Sequence, residues 1–96
     1  MILSIDTTDN KKTIVKLGKH KIEKNYSNPR EQQLLTLINQ IMEETDTSFN
    51  QIKEIKVNVG PGSFTGIRVG VAVANALAWS LGIKVNGRKQ ISPKYQ

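Results

Sequence analysis

At 96 residues the chain holds one domain at most, and at that size only about two-thirds of the unfolded surface can be buried. Zero cysteines exclude disulfides and thiolate metal sites, as fits a cytoplasmic protein. A net charge of +6 favours anionic partners such as RNA or an acidic protein face, although lysines on exposed strands equally serve solubility and block edge pairing, and no aromatic residue interleaves with the basic ones.

In chain order, Ile2 to Ile5 is a short apolar strand that ends on Asp6-Thr7-Thr8-Asp9-Asn10, a polar turn cluster. Met1 to Asp6 lacks the basic and apolar pattern of a secretory leader, and no run of about 18 apolar residues predicts a membrane span. Thr13 to Leu17 is β-branched and broken by Gly18, and His20 to Tyr26 reads as a third, mostly solvent-facing strand. Two short turns between three strands predict an antiparallel meander. Asn28 as N-cap, Pro29 at the first helical position and Glu31 three residues after the cap predict a helix start. Leu34, Leu35, Leu37, Ile38, Ile41 and Met42 extend that helix to about Glu44 and cover well over 100° of its circumference. Ile55-Lys56-Val57-Asn58-Val59 alternates strictly, so one sheet face meets a core and the other meets water. A loop, Gly60 to Gly66, leads into a second helix that ends near Leu81 at the C-terminal glycine Gly82. Ile83-Lys84-Val85 is a fifth strand candidate, and the chain from Asn86 onward reads as polar. The expected division is a lobe over 1–87 and a polar tail over 88–96. The order β-β-β-α-β-α-β, an α/β mixed sheet with helices mainly on one face, is the layout of a single ribonuclease-H-like, actin-type ATPase lobe.

Four of the seven glycines fall between positions 60 and 70. A strand that passes through Gly60-Pro61-Gly62-Ser63-Phe64-Thr65-Gly66 into a helix brings backbone amides and a positive helix end together, which suits an anion. The same glycines equally serve a tight connection. Asp6 and Thr7, with Gly60, Gly62, Ser63, Thr65 and Gly66, are the candidate phosphate-facing residues. Gly66, Gly70, Ala74 and Ala78 recur every fourth residue, a stripe that lets a helix or the sheet approach closely. Arg68, Ala72, Asn75 and Trp79 lie on another face, where the tryptophan could anchor a partner or simply cap the core. Association residues are expected at Leu34, Leu37, Ile38, Ile41, Arg68, Gly70, Ala74 and Trp79. No metal ligand set is read, since His20 is the one histidine. Ser63 and Thr65 have no adjacent base for nucleophilic catalysis.

Ile2-Leu3-Ser4-Ile5-Asp6-Thr7-Thr8, with Gly60-Pro61-Gly62-Ser63-Phe64-Thr65-Gly66-Ile67-Arg68-Val69-Gly70-Val71-Ala72, resembles the signature of the TsaB (YeaZ) family over Met1 to about Gly87. That resemblance implies an actin-type lobe without a complete active site of its own. It implies a pseudo-enzyme subunit that pairs through its two helices with the catalytic paralogue TsaD and supports transfer of a threonylcarbamoyl group to the tRNA adenosine next to the anticodon. A TsaE-type ATPase is an implied further partner, tRNA an indirect one, and a homodimer the expected state in isolation. No cofactor of its own is expected; ATP or an adenylate enters only with the partners. The sequence departs from the family at Asn75-Ala76, where Lys-Gly is usual, and at Asn86 to Ile91, where a fifth strand and helix are usual. The family's second lobe has no counterpart here, which weighs against independent nucleotide turnover. Two other classes compete with this reading: a homodimeric interaction module without a tRNA role, and a stand-alone ATP-binding enzyme.

Overall fold

The computed structural model describes residues 1–27 and 33–92. Five strands, β1 (Ile2–Asp6), β2 (Lys12–Leu17), β3 (His20–Asn25), β4 (Glu54–Val57) and β5 (Lys84–Val85), form one sheet in the order β3-β2-β1-β4-β5. The first three make the predicted meander, with β1 antiparallel to β2 and β2 to β3. β4 returns parallel to β1, and β5 parallel to β4, each after one helix. Helix α1 (Leu34–Glu44) crosses to β4 and α2 (Phe64–Leu81) crosses to β5.

Strand alternation decides which face is covered. Leu3, Ile5, Val15, Leu17, Ile55, Val57 and Val85 point to one side and are buried. Both helices lie there, α1 over β2 and β3, α2 over β4, β5 and β1. Ser4, Asp6, Lys16 and Lys56 lie on the other side, which no helix covers among the described residues. Within the core the Tyr26 hydroxyl bonds to the buried Thr13 hydroxyl, so this polar pair is satisfied internally.

Several expectations are corrected. Asn28, Pro29 and Glu31 lie outside the described residues. Gln33 has φ −134° and ψ 46°, which is not helical, so α1 starts at Leu34 rather than running on from Pro29. The wide apolar face of α1 is mostly interior: Leu34, Leu37, Ile38 and Ile41 are buried against the sheet and α2. They do not present a surface to a partner, because a two-layer lobe this small uses nearly the whole helix width to cover its sheet. Leu35 alone of that set stands out, 58% exposed. The small-residue stripe is internal too. Gly66, Gly70, Ala74 and Ala78 are buried, and they allow α2 to sit close on β1 and β4.

Helix α2 also departs from the expectation about membranes. Its 18 residues have a mean hydropathy of 1.3, long and apolar enough to cross a bilayer by length and composition. Its apolar excess has a role inside the lobe, where it is packed on three strands. After β5, Asn86 (φ 51°) and Gly87 (φ 77°) make a tight reversal closed by Val85 N to Arg88 O at 2.8 Å and Arg88 N to Val85 O at 2.9 Å. Positive φ at both central residues is the hairpin geometry that Asn-Gly favours. The returning segment is then fastened to α2 by Asn75, whose side-chain amide donates to Ile91 O at 2.9 Å while its oxygen accepts from Ile91 N at 3.0 Å. Residues 88–92 are thus tied to the lobe, and 93–96 lie outside the described residues.

Candidate functional site

The residues singled out from the glycine loop and the first strand come together at the amino end of α2. Asp6 closes β1, Thr7 and Thr8 follow it, and the loop from Gly60 to Ser63 folds over them. Ser63 is the N-cap of α2, its hydroxyl accepting from Gly66 N at 3.2 Å. Three of the backbone amides that suggested an anion cradle are engaged. Ser63 N donates to Thr8 O at 2.7 Å, Gly60 N to the Asn58 side-chain oxygen at 3.1 Å, and Gly66 N to the cap. Thr7 is buried, and its hydroxyl donates to Gly66 O at 2.5 Å. It therefore faces inward, which corrects the expectation of a phosphate-facing threonine.

The glycines are dictated by this closeness. A Cβ on Gly66 would overlap the Thr7 carbonyl oxygen, and one on Gly70 would overlap the Thr7 hydroxyl. A Cβ on Gly62 would come within 2.7 Å of both Thr8 Cβ and Thr8 O. Each is a backbone or buried contact that cannot swing aside.

Asp6 is half-buried on the uncovered face. Its Oδ1 accepts from Thr8 N at 3.0 Å and Thr8 Oγ1 at 2.7 Å, and its Oδ2 from Asn58 Nδ2 at 3.2 Å. Burial, the largest influence, pushes its carboxyl up; the hydrogen bonds from Thr8 and Asn58, with the charge of Lys12, together outweigh it and hold the carboxyl below its ordinary value. The carboxylate is thus ionised and mostly satisfied by its own loop. Beside it a hollow of about 390 Å³ is lined by Ser4, Asp6, Ile14, Lys16, Lys56, Asn58 and Asn86. Thr65 at the same corner is exposed, as are Arg68 and Phe64; the Arg68 guanidinium lies 5.4 Å from the Phe64 ring centre. Among the described residues no cluster of three His, Cys, Asp or Glu side chains could hold a metal ion.

A second region lies along the outer side of the helix pair. Leu35 of α1, with Ala72, Val73, Ala76, Leu77 and Ser80 of α2, lines an almost purely apolar groove of about 410 Å³. At the carboxyl end of α2, Trp79 is 86% exposed. Sequence reasoning left Trp79 between a partner anchor and a cap on the core, and did not single out Leu35 as the outward leucine of α1. The signal was present, since Leu35 is the residue of the α1 set that falls farthest from the line through Leu34, Ile38 and Ile41 on a helical wheel.

A five-stranded mixed sheet in this order, with two helices on one face and a glycine-bound β1–β2 turn, places the chain in the ribonuclease-H-like, actin-type class of α/β lobes. The solved structure of YeaZ from Pseudomonas aeruginosa superposes with a TM-score of 0.73 over 95% of this chain and 43% of that one, at 24% identity. A family model described as TsaD, tRNA N6-adenosine threonylcarbamoyltransferase, matches residues 24–89. Curated relatives called tRNA threonylcarbamoyladenosine biosynthesis protein TsaB include one from Buchnera aphidicola subsp. Baizongia pistaciae, 34% identical over 85% of this chain and 38% of the relative. Another, from Haemophilus influenzae, is 30% identical over 88% of this chain and 37% of the relative. The chain belongs to the TsaB/YeaZ family and corresponds to its amino-terminal region, spanning about two-fifths of those relatives' length.

Proposed function

We propose that the chain is a non-catalytic subunit in tRNA threonylcarbamoyladenosine biosynthesis, acting by association with a TsaD-type paralogue, with a TsaE-type ATPase as a further partner and a homodimer as its state alone. Family membership supports the pathway. The observation that carries the association is the apolar groove between Leu35 and the Ala72-Val73-Ala76-Leu77 side of α2, which leaves a leucine more than half exposed on a folded lobe. Small alanines there let another helix come close, and burial of Leu35 and its neighbours contributes about 1.5–3 kcal/mol per large side chain, which opposes the entropy lost on association. The loop amides engaged by Ser63, Thr8 and Asn58 support the further reading that nucleotide, ATP or an adenylate, enters only with the partners.

Co-expression with a TsaD-type protein tests this directly. Ala76→Glu and Leu35→Lys are expected to abolish co-purification while the melting curve of the isolated chain is unchanged. Retained co-purification in both variants would place the contact elsewhere and overturn the reading.

A further inference from the structure

The two edges of the sheet differ. At β5 the outward groups of Val85 are already used, by the paired bonds to Arg88, so the returning segment closes that edge. At the other edge β3 is bonded to β2 alone. Tyr26 N donates to Lys11 O at 2.7 Å, which turns the backbone groups of Tyr26 toward β2. In an antiparallel pair that direction alternates along the strand. The backbone groups of Lys24, Ile22 and His20 therefore also face β2, whereas Asn25, Glu23 and Lys21 present their N–H and C=O groups outward. No backbone bond joins these three to a further strand among the described residues.

An open edge is a template for another strand, and the side chains on it decide which. The register Val15↔Ile22 puts Ile22 on the helix-covered side, where it packs against the core, and leaves Lys21 and Glu23 on the uncovered side. Lys21 and Glu23 form an exposed ion pair at 3.6 Å. Directly across the sheet, however, Lys21 meets a like charge, Lys16, and Glu23 meets Ile14. Neither has an opposite charge in its own row. Two β3 strands can meet antiparallel about a two-fold axis only in registers that oppose outward-facing residues. One such register sets Lys21 against Lys21, and another sets Glu23 against Glu23. The register between them, centred on Ile22, opposes Lys21 to Glu23 twice and places Ile22 beside Ile22 on the helix side. Lys24 then lies opposite His20 and not opposite a second lysine. Edge lysines ordinarily deter pairing, but here Lys21-Ile22-Glu23 is complementary to itself read backwards. That self-complementarity selects a second copy over an unrelated strand.

We propose that β3 pairs antiparallel with β3 of a second copy in the register centred on Ile22, joining the two five-stranded sheets into one across a two-fold axis. Because the returning segment closes the β5 edge, one open edge remains among the described residues and assembly stops at two copies. The proposal rests on the homodimer named above and gives it a surface other than the Leu35 groove.

Sedimentation velocity of the isolated chain, from micromolar to millimolar concentration, is the test. Wild type is expected to pass from monomer to dimer. Lys21→Glu and Glu23→Lys each put like charges in both cross-strand pairs. Each is expected to weaken dimerisation about 10-fold or more, with an unchanged circular-dichroism melt because both side chains are exposed. An equimolar mixture of the two variants restores opposite charges in both pairs and is expected to associate about as tightly as wild type. Hydrogen exchange reads the backbone: the Lys21 and Glu23 amides are expected to slow as concentration rises. Wild-type dimerisation in either single variant overturns the proposal, and loss of that dimer in Leu35→Lys then moves the homodimer to the groove. A mixture no tighter than its components overturns the proposal, as does a dimer whose Lys21 and Glu23 amides exchange freely. A chain that stays monomeric overturns the proposal together with the homodimer it rests on. Co-purification with a TsaD-type protein is expected to survive Glu23→Lys, so that contact and this one fail separately.

Discussion

The two ends of α2 are built in opposite ways. At the amino end, the loop that looked most like a ligand cradle is filled by the protein itself. Thr7 is buried under Gly66 and Gly70, and the Ser63 amide is bonded to Thr8 O. At the carboxyl end, an exposed tryptophan stands beside an open hollow between the helix end, β5 and the returning segment. The contrast teaches that a glycine-rich strand-to-helix loop is equally a device for close packing. Whether its amides are free for a ligand depends on what the neighbouring strand presses against them.

The largest effect that sharpens this comparison comes from the interior that both ends share. Leu37→Glu places a carboxylate where the wild-type side chain is 3% exposed, and a loss of about 4 kcal/mol or more, enough to unfold a small lobe, is expected in denaturant titration. Survival of the fold would mean that α1 can turn its interior face outward. Next is Gly66→Ala, whose new methyl meets the Thr7 carbonyl; about 3 kcal/mol of destabilisation is expected. An unchanged melting midpoint would show that the amino end of α2 has slack and is not closed as described. Thr7→Val keeps the shape but removes the buried bond to Gly66 O, and about 1–2 kcal/mol should be lost.

Asp6 gives a smaller, pH-dependent effect. Its folded carboxyl titrates below its ordinary 3.8, so the stability it contributes is complete above that ordinary value and is lost as pH falls through the folded one. Wild type should therefore lose stability relative to Asp6→Asn only below about pH 4, as read from urea midpoints between pH 6 and pH 2. Parallel curves would show that the Thr8 and Asn58 bonds do not favour the charged form. The smallest effect is expected at the other end of the helix: Trp79→Ala should change stability by no more than about 0.5 kcal/mol, since the side chain is 86% exposed.

Much of this molecule follows from sequence alone. Alternation in Ile55-Lys56-Val57 specifies a sheet with one wet face, because side chains on a strand point to opposite sides by covalent geometry. The helix stop at Gly82, which adopts φ 67°, follows from the ease with which glycine takes a left-handed backbone. The family signature in Ile2 to Thr8 and Gly60 to Ala72 was legible as a pattern of residue types, and in the fold its glycines Gly62, Gly66 and Gly70 sit against Thr7 and Thr8.

What lay beyond the sequence is set by which element presses on which. The spacing of six apolar residues on α1 marks Leu35 as the outermost, but that the other five are all interior depends on how much sheet the helix must cover in a two-layer lobe. Amides in a glycine loop do not reveal that Thr8 O already bonds the Ser63 amide, since partners so far apart in the chain meet only when β1 and β4 pair in parallel. In the linear chain no aromatic residue interleaves with basic ones. The Asn86-Gly87 reversal and the Asn75–Ile91 bonds bring Lys89 back to the hollow beside Trp79, and that juxtaposition exists only once the segment has folded onto α2.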